Sequence, residues 1–202
     1  MTADDTRSRL LDATIAAIDA GGEAAVSVDD IAKAAGVTAP TIYNHFRNRN
    51  GLIAEAQAMR FDRQIGRDFA AISEAVSKIE TREDLIAVTD LLMDFMLSPE
   101  RAAMRMDRVS AFGSAVGRPD LADAVTAKFV AICENFGTVL RPLQERGLIR
   151  ADIDLTAFGA WFTGAVTGRI FVEYQPTPID TEAWNRIFRD AVLGAVLPPE
   201  SA

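Results

Sequence analysis

The stretch from Ser27 to Leu52, SVDDIAKAAGVTAPTIYNHFRNRNGL, decides the fold. Ser27 is a good helix N-cap, and Asp30, three residues on, is its capping-box partner. The helix so opened buries Ile31, Ala32 and Ala35. It stops at Gly36, which adopts the left-handed conformation of a helix end without the penalty a β-carbon brings. Thr38 caps a second helix, with Pro40 in its first turn, where a missing N–H costs nothing. Two short helices joined by a tight glycine-containing turn make a helix-turn-helix. Ala32, four residues before Gly36, is small enough to let the two helices approach closely.

Ile42 and Phe46, at i and i+4, turn the second helix inward. Ala39, Pro40, Thr41, Asn44 and His45 then face outward, with Tyr43 at the flank. The surface is weakly charged and rich in small groups, hydroxyls and an amide, which suits close approach to base edges and phosphates. The plainer alternative is a helical hairpin whose polar side is merely wet.

With a first helix over Arg9–Ala20, these segments resemble the N-terminal domain of TetR-type bacterial transcription regulators. Val37-Thr38, Thr41-Ile42-Tyr43, His45-Phe46 and Leu52 fall where that family's motif has them. The resemblance covers roughly the first sixty residues; beyond them the chain matches only as a string of helices. It departs at Arg49-Asn50-Gly51-Leu52, where the family usually has Lys followed by acidic residues. Arg49 keeps the charge, while Asn50 and Gly51 weaken the start of the fourth helix. The resemblance implies that Thr38, Tyr43 and His45 hold phosphates, with Ser27 and Arg49 supporting them at neighbouring helix N-termini. Ala39, Pro40, Thr41 and Asn44 would approach bases, the first two through apolar contact only.

The chain of 202 residues is 49% hydrophobic, enough for one substantial domain or two small ones. A single cysteine, Cys133, excludes an internal disulfide and fits a reducing cytoplasm. The opening MTADDTRSRLL is acidic and polar, unlike a signal peptide. The net charge of −8 argues at first against a nucleic-acid partner. Its distribution matters more than its sum. Between Ile31 and Arg60 four basic residues (Lys33, Arg47, Arg49 and Arg60) face Glu55 alone, a local excess of three positive charges.

The rest reads as helices. Leu10, Leu11, Ile15 and Ile18 stripe the first, which Gly21-Gly22 ends. Asn48 caps a long fourth helix to about Ile79. Thr81 with Asp84 opens a fifth, Ser98-Pro99 stops it, and a sixth covers Glu100–Phe112 before a loop over Gly113–Pro119. Asp120 opens a long seventh helix that Gly147 ends. Asp154 caps an eighth, LTAFGAWFTGAVTGRIFVEY; its apolar run Leu155–Val172 tempts a membrane reading but carries Arg169, three threonines and three glycines, and reads as a buried helix. Gln175-Pro176-Thr177-Pro178 breaks the chain before a ninth helix over Thr181–Leu197.

Ala160, Gly164 and Gly168, four apart on the eighth helix, let another helix lie close. With Trp184, Ile187 and Phe188 they give the last two helices more apolar surface than one small domain covers. Pairing with the same helices of a second copy makes a two-fold four-helix interface, the homodimer that the resemblance also implies. The single histidine, His45, stands beside no nucleophile, and no cluster has metal-ligand spacing, so neither enzyme chemistry nor a cofactor is expected. Cys133, on an apolar face, reads as an inert buried thiol. Phe95, Met96, Met104, Phe112, Phe129, Cys133, Phe136, Trp161 and Phe162 are candidates to line a cavity for an apolar small molecule.

The expectation is therefore an all-α protein: a three-helix helix-turn-helix DNA-binding domain over residues 1–50 and a helical ligand-binding and dimerisation domain over 51–202. Its partners would be a palindromic double-stranded operator, a small-molecule effector and a second copy, with no membrane. The competing reading is a helical small-molecule-binding protein or enzyme that has the N-terminal motif without DNA binding.

Overall fold

The computed structural model describes residues 3–173 and 179–199, the side chains of residues 3, 61 and 64–68 excepted. The expected break at Gln175–Pro178 lies outside the described residues. All regular structure among the described residues is helical: α1 (Ala3–Gly21), α2 (Val28–Ala35), α3 (Ala39–Phe46), α4 (Arg49–Ser77), α5 (Arg82–Leu97), α6 (Ala102–Ala115), α7 (Pro119–Glu145), α8 (Leu155–Gly168), α9 (Ile170–Glu173) and α10 (Thr181–Val196), with single 3-10 turns at Glu23–Ala25 and Pro99–Arg101.

The chain packs as two units. The first combines the residues up to Arg63 with Ala111–Lys128; the second combines Gln64–Ser110 with the residues from Phe129 onward. In the first, Leu10, Leu11, Ile31, Ile42, Phe46, Leu52 and Ile53 form one core. Ala54 of α4 packs separately with Ala115, Leu121 and Val125. Glu23 joins the 3-10 turn to α4 and to the α6–α7 corner: it accepts hydrogen bonds from Gln57 at 3.1 Å and from Arg118 at 2.8 Å. Burial alone would push the Glu23 carboxyl up. Hydrogen bonds from Gln57, Arg118 and Ser114, with the charge of Arg118, outweigh it and hold the group below the usual carboxylate range.

In the second unit the full capping box forms at Thr81–Asp84, where each side chain bonds the other's backbone N–H. Two sequence expectations need correction. The sixth helix runs through Gly113 to Ala115, because that glycine sits in an open, helical position and breaks nothing. The eighth helix does not continue unbroken to Tyr174: it is interrupted at Arg169, whose buried guanidinium turns toward Glu173. Asp180 caps the last helix, accepting from the backbone N–H groups of Glu182 and Ala183. The span Leu155–Glu173 is long and apolar enough by length and composition to cross a membrane, yet half of it is buried inside the protein and it contains the buried Arg169.

Candidate nucleic-acid interface

Ser27 stands in an extended conformation at the N-cap of α2 and accepts the Asp30 N–H at 3.3 Å. At the other end Gly36 has φ 67°. Its N–H bonds the Lys33 carbonyl and the Val37 N–H bonds the Ala32 carbonyl at 2.9 Å, a Schellman-type stop. Thr38 then reaches the N-cap position of α3 in extended geometry, but not in the expected way. Its hydroxyl meets the Thr41 hydroxyl at 3.1 Å and caps no backbone N–H. The N-terminus of α3 is thus left without a side-chain cap, which keeps its partial positive charge available to an anion.

Ile42 and Phe46 are buried, as the spacing requires. Pro40 and Asn44 are exposed, Tyr43 is 47% exposed, and Ala39, Thr41 and His45 are half-exposed along the same outer side. The His45 ring tilts against Phe46 at 5.9 Å between centroids. α3 contains no carboxylate. Directly after it, Arg47 has φ 61°, a left-handed conformation costly for any residue with a β-carbon. The chain reverses there so that Asn48 can accept the Gly51 N–H at 2.8 Å and start α4.

Arg49 requires a correction. It was expected to support a phosphate contact. Instead its Nε donates to the Val26 carbonyl at 2.9 Å and its Nη2 to the Glu23 carbonyl at 2.6 Å, so its donors hold the chain entering α2. Arg60 likewise pairs with Asp19 at 2.7 Å. The local positive excess read from the sequence therefore resides at the interface in two exposed cations, Lys33 and Arg47, which the motif-based residue set omitted. Their signal was present only in the charge distribution.

The apolar candidates divide. Met96, Phe136 and Phe162 line a cavity of about 60 Å³ in the second unit, with Phe158, Met93 and several aliphatic residues; Thr89 is its one polar side chain. Cys133 is buried but not part of that lining, and burial raises its thiol pKa. Met104 and Phe129 are half-buried outside that lining, whereas Phe95, Phe112 and Trp161 are exposed, with Phe112 in the first unit. Phe95 is covered by the Arg101 guanidinium at 4.2 Å. On α8, Gly164 and Gly168 have open space where a Cβ would stand, and Ala160 is half-exposed beside them. On α10, Ile187 is 71% exposed and Trp184 half-exposed, but Phe188 turns inward against Phe162 and Trp161.

The chain was compared with known proteins. The family model described as bacterial regulatory proteins, tetR family, matches residues 10–56. The HTH-type transcriptional regulator BetI of Serratia proteamaculans (strain 568) is 26% identical over 180 residues, covering 87% of this chain and 89% of that protein. The structure of a TetR-family transcriptional regulator from Cytophaga hutchinsonii superposes with a TM-score of 0.67 at 17% identity, covering 97% of both chains. That of the transcriptional regulator FadR from Bacillus subtilis in complex with stearoyl-CoA gives 0.57 at 18% identity, covering 93% of this chain and 98% of that one. Such distant structures share the fold. The helix-turn-helix thus lies within residues 10–56, the segment similar to the tetR family of bacterial regulatory proteins, and the chain as a whole is similar to a helix-turn-helix transcriptional regulator over 87% of its length.

Proposed function

We propose that the protein is a cytoplasmic, ligand-responsive repressor that binds a palindromic operator as a homodimer. The observation that carries the reading is the outer side of α3. It is free of carboxylates, starts at an uncapped helix N-terminus, and is flanked by the exposed cations Lys33 and Arg47 on an otherwise acidic chain. Tyr43, Thr38 and His45 suit phosphates, with the Ser27 hydroxyl near them in sequence at the start of α2. Thr41 and Asn44 suit base edges, and Ala39 and Pro40 suit thymine methyls. The reading elements lie within residues 1–50, but the unit that carries them extends to Arg63 and includes Ala111–Lys128, so regulation and dimerisation fall to the second unit and not to all of 51–202.

The dimer reading rests on one face of α8 and the short α9. Ala157, Trp161, Gly164 and Phe171 repeat at helical spacing and are all exposed, Phe171 by 79%, beside Ile187 of α10. Helices that present small residues and unpaired aromatics this way gain by packing on a second copy. Two recognition helices would then enter successive major grooves, roughly 34–36 Å apart. The effector reading rests on the all but fully apolar cavity around Met96, Phe136 and Phe162, which favours an apolar molecule. As it stands the cavity holds only a few waters' volume, so ligand entry must spread its walls; that expansion is the step by which a ligand shifts the population away from the DNA-binding state. FadR of Bacillus subtilis, which shares the fold, is solved in complex with stearoyl-CoA, a molecule with a long apolar acyl chain, and this supports the reading.

Selection of bound sequences from a random DNA pool tests the reading. A palindrome is expected, and Tyr43→Phe should weaken its binding several-fold in a gel-shift titration without unfolding the protein. Recovery of no sequence by ligand-free protein would favour a cavity-binding protein that has the motif without the activity.

A further inference from the structure

In the second unit a cleft of about 580 Å³ opens between the C-terminal half of α5 and the N-terminal half of α10, with Arg169 in its wall. Arg169 is only 5% exposed, yet its Nε and Nη1 are buried with no hydrogen-bond partner. The reason lies in its neighbours. Glu173 is the nearest carboxylate, but both its oxygens are taken by Arg105, whose Nε and Nη2 reach them at 2.8 and 2.6 Å. Arg169 is left at 3.6 Å, beyond hydrogen-bond range. This buried group of three therefore holds two guanidinium charges and one carboxylate. Burial pushes the Arg169 guanidinium down, Glu173 opposes it, and Arg105 adds to it. A buried charge without a counter-charge is expensive, and proteins seldom leave one so.

The rest of the wall fits an anion with an apolar part. Arg189 is neutralised by Asp90, which it grips through Nε and Nη2. Arg186 is exposed at the rim, 4.0 Å from Asp180, and Asp94 is exposed on the α5 side. Asn185 carries a second unmatched atom, its buried Oδ1. Met93 and Leu97 supply apolar surface. We propose that this cleft is a second binding site, separate from the apolar cavity, that takes a small organic carboxylate with its anionic head at Arg169 and its apolar part against Met93 and Leu97.

The chain has two tryptophans, and the ring of Trp184 lies 5.5 Å from the Arg169 guanidinium carbon. Trp161→Phe, at an exposed position, leaves Trp184 as the sole indole reporter. Titration of this full-length variant with hexanoate should give a saturable change in fluorescence. 1-Hexanol, equal in length but uncharged, should bind at least about tenfold more weakly, as the loss of a charge-assisted bond requires. Acetate should be weaker than hexanoate. Arg169→Met should abolish the response, and Arg186→Glu, a rim substitution that leaves the buried packing alone, should weaken it several-fold at unchanged Tm. An equal response to 1-hexanol, inorganic phosphate binding as tightly as hexanoate, no saturation, or binding unaltered in both variants would each overturn the proposal.

Discussion

Gly51→Ala should destabilise the protein, although helix propensity predicts the opposite. Gly51 sits in the first turn of α4, where alanine would ordinarily add about 1 kcal/mol. A β-carbon there would stand 2.2 Å from the Phe46 carbonyl oxygen and 3.3 Å from its carbon. The obstacle is backbone, not a flexible side-chain end, and it belongs to the last residue of α3. Either α3 or the start of α4 must move by about an ångström, and overpacking of this kind costs about 1–3 kcal/mol, occasionally more. The Asn48 cap on the Gly51 N–H would be strained in the same movement. We expect a net loss of about 1–2 kcal/mol in denaturant unfolding, and a larger relative loss of operator affinity, because the recognition helix itself is displaced. Gly113→Ala is the matched control. It is also helical, but nothing lies within 4 Å of the added carbon, so it should stabilise by about 0.5–1 kcal/mol. If both alanines stabilise, the α3–α4 junction is not sterically closed and the reasoning fails.

Other outcomes follow from the buried charges. The Glu23 carboxyl is held below its ordinary pKa, so its contribution to stability is complete above the unfolded-state value near 4.5 and is lost as pH falls through the lower folded-state value. Glu23→Gln should therefore flatten the fall of stability in urea melts between about pH 5 and pH 3, and an unchanged slope would refute the assignment. Arg105 is 1% exposed and, besides Glu173, donates to the Met96 and Ser98 carbonyls at 2.7 and 2.9 Å. Arg105→Met leaves the Met96 and Ser98 carbonyls without their donor, while the freed Glu173 carboxylate can turn to Arg169, and it should cost about 1–3 kcal/mol. Combined with Glu173→Gln the effects should not add, and strict additivity in the double-mutant cycle would mean the pair is not coupled. Gly164→Arg meets open space within one protomer, so it should leave the fold intact and shift sedimentation toward a single chain if α8 forms the dimer face.

The helix-turn-helix was legible because its determinants are local. Ser27, Gly36 and the Ile42–Phe46 pair act within a few residues of themselves, so spacing alone reveals them. Arg49 was misread because its partners, the Glu23 and Val26 carbonyls, lie over twenty residues upstream, and no pattern announces a side chain turned back on the main chain. Gly51 was read as a weak helix start; only the proximity of the Phe46 carbonyl reveals it as a requirement. The ligand candidates were chosen by residue type. Type does not say which side of a helix meets a cavity, so Phe95, Phe112 and Trp161 were grouped with Met96, Phe136 and Phe162. Arg169 stood out only as a charge that argues against a membrane span, and Arg105 and Glu173 gave no signal, since a lone charge in a mixed helix usually means solvent.

Ala54 packs against Ala115, Leu121 and Val125, and Glu23 and Gln57 lie in a network with Arg118. Every one of these later partners comes from a second pass of the chain, some fifty residues or more downstream of α4's first turns. The reading head is consequently not a detachable module. A fragment ending near residue 63 would keep every residue of the family motif and still lose one wall of its small core and the counter-charge of Glu23. Fusions that transplant this head onto another protein would have to carry Ala111–Lys128 with it, and evolution could exchange the sensing half of such a protein only by preserving that returning corner.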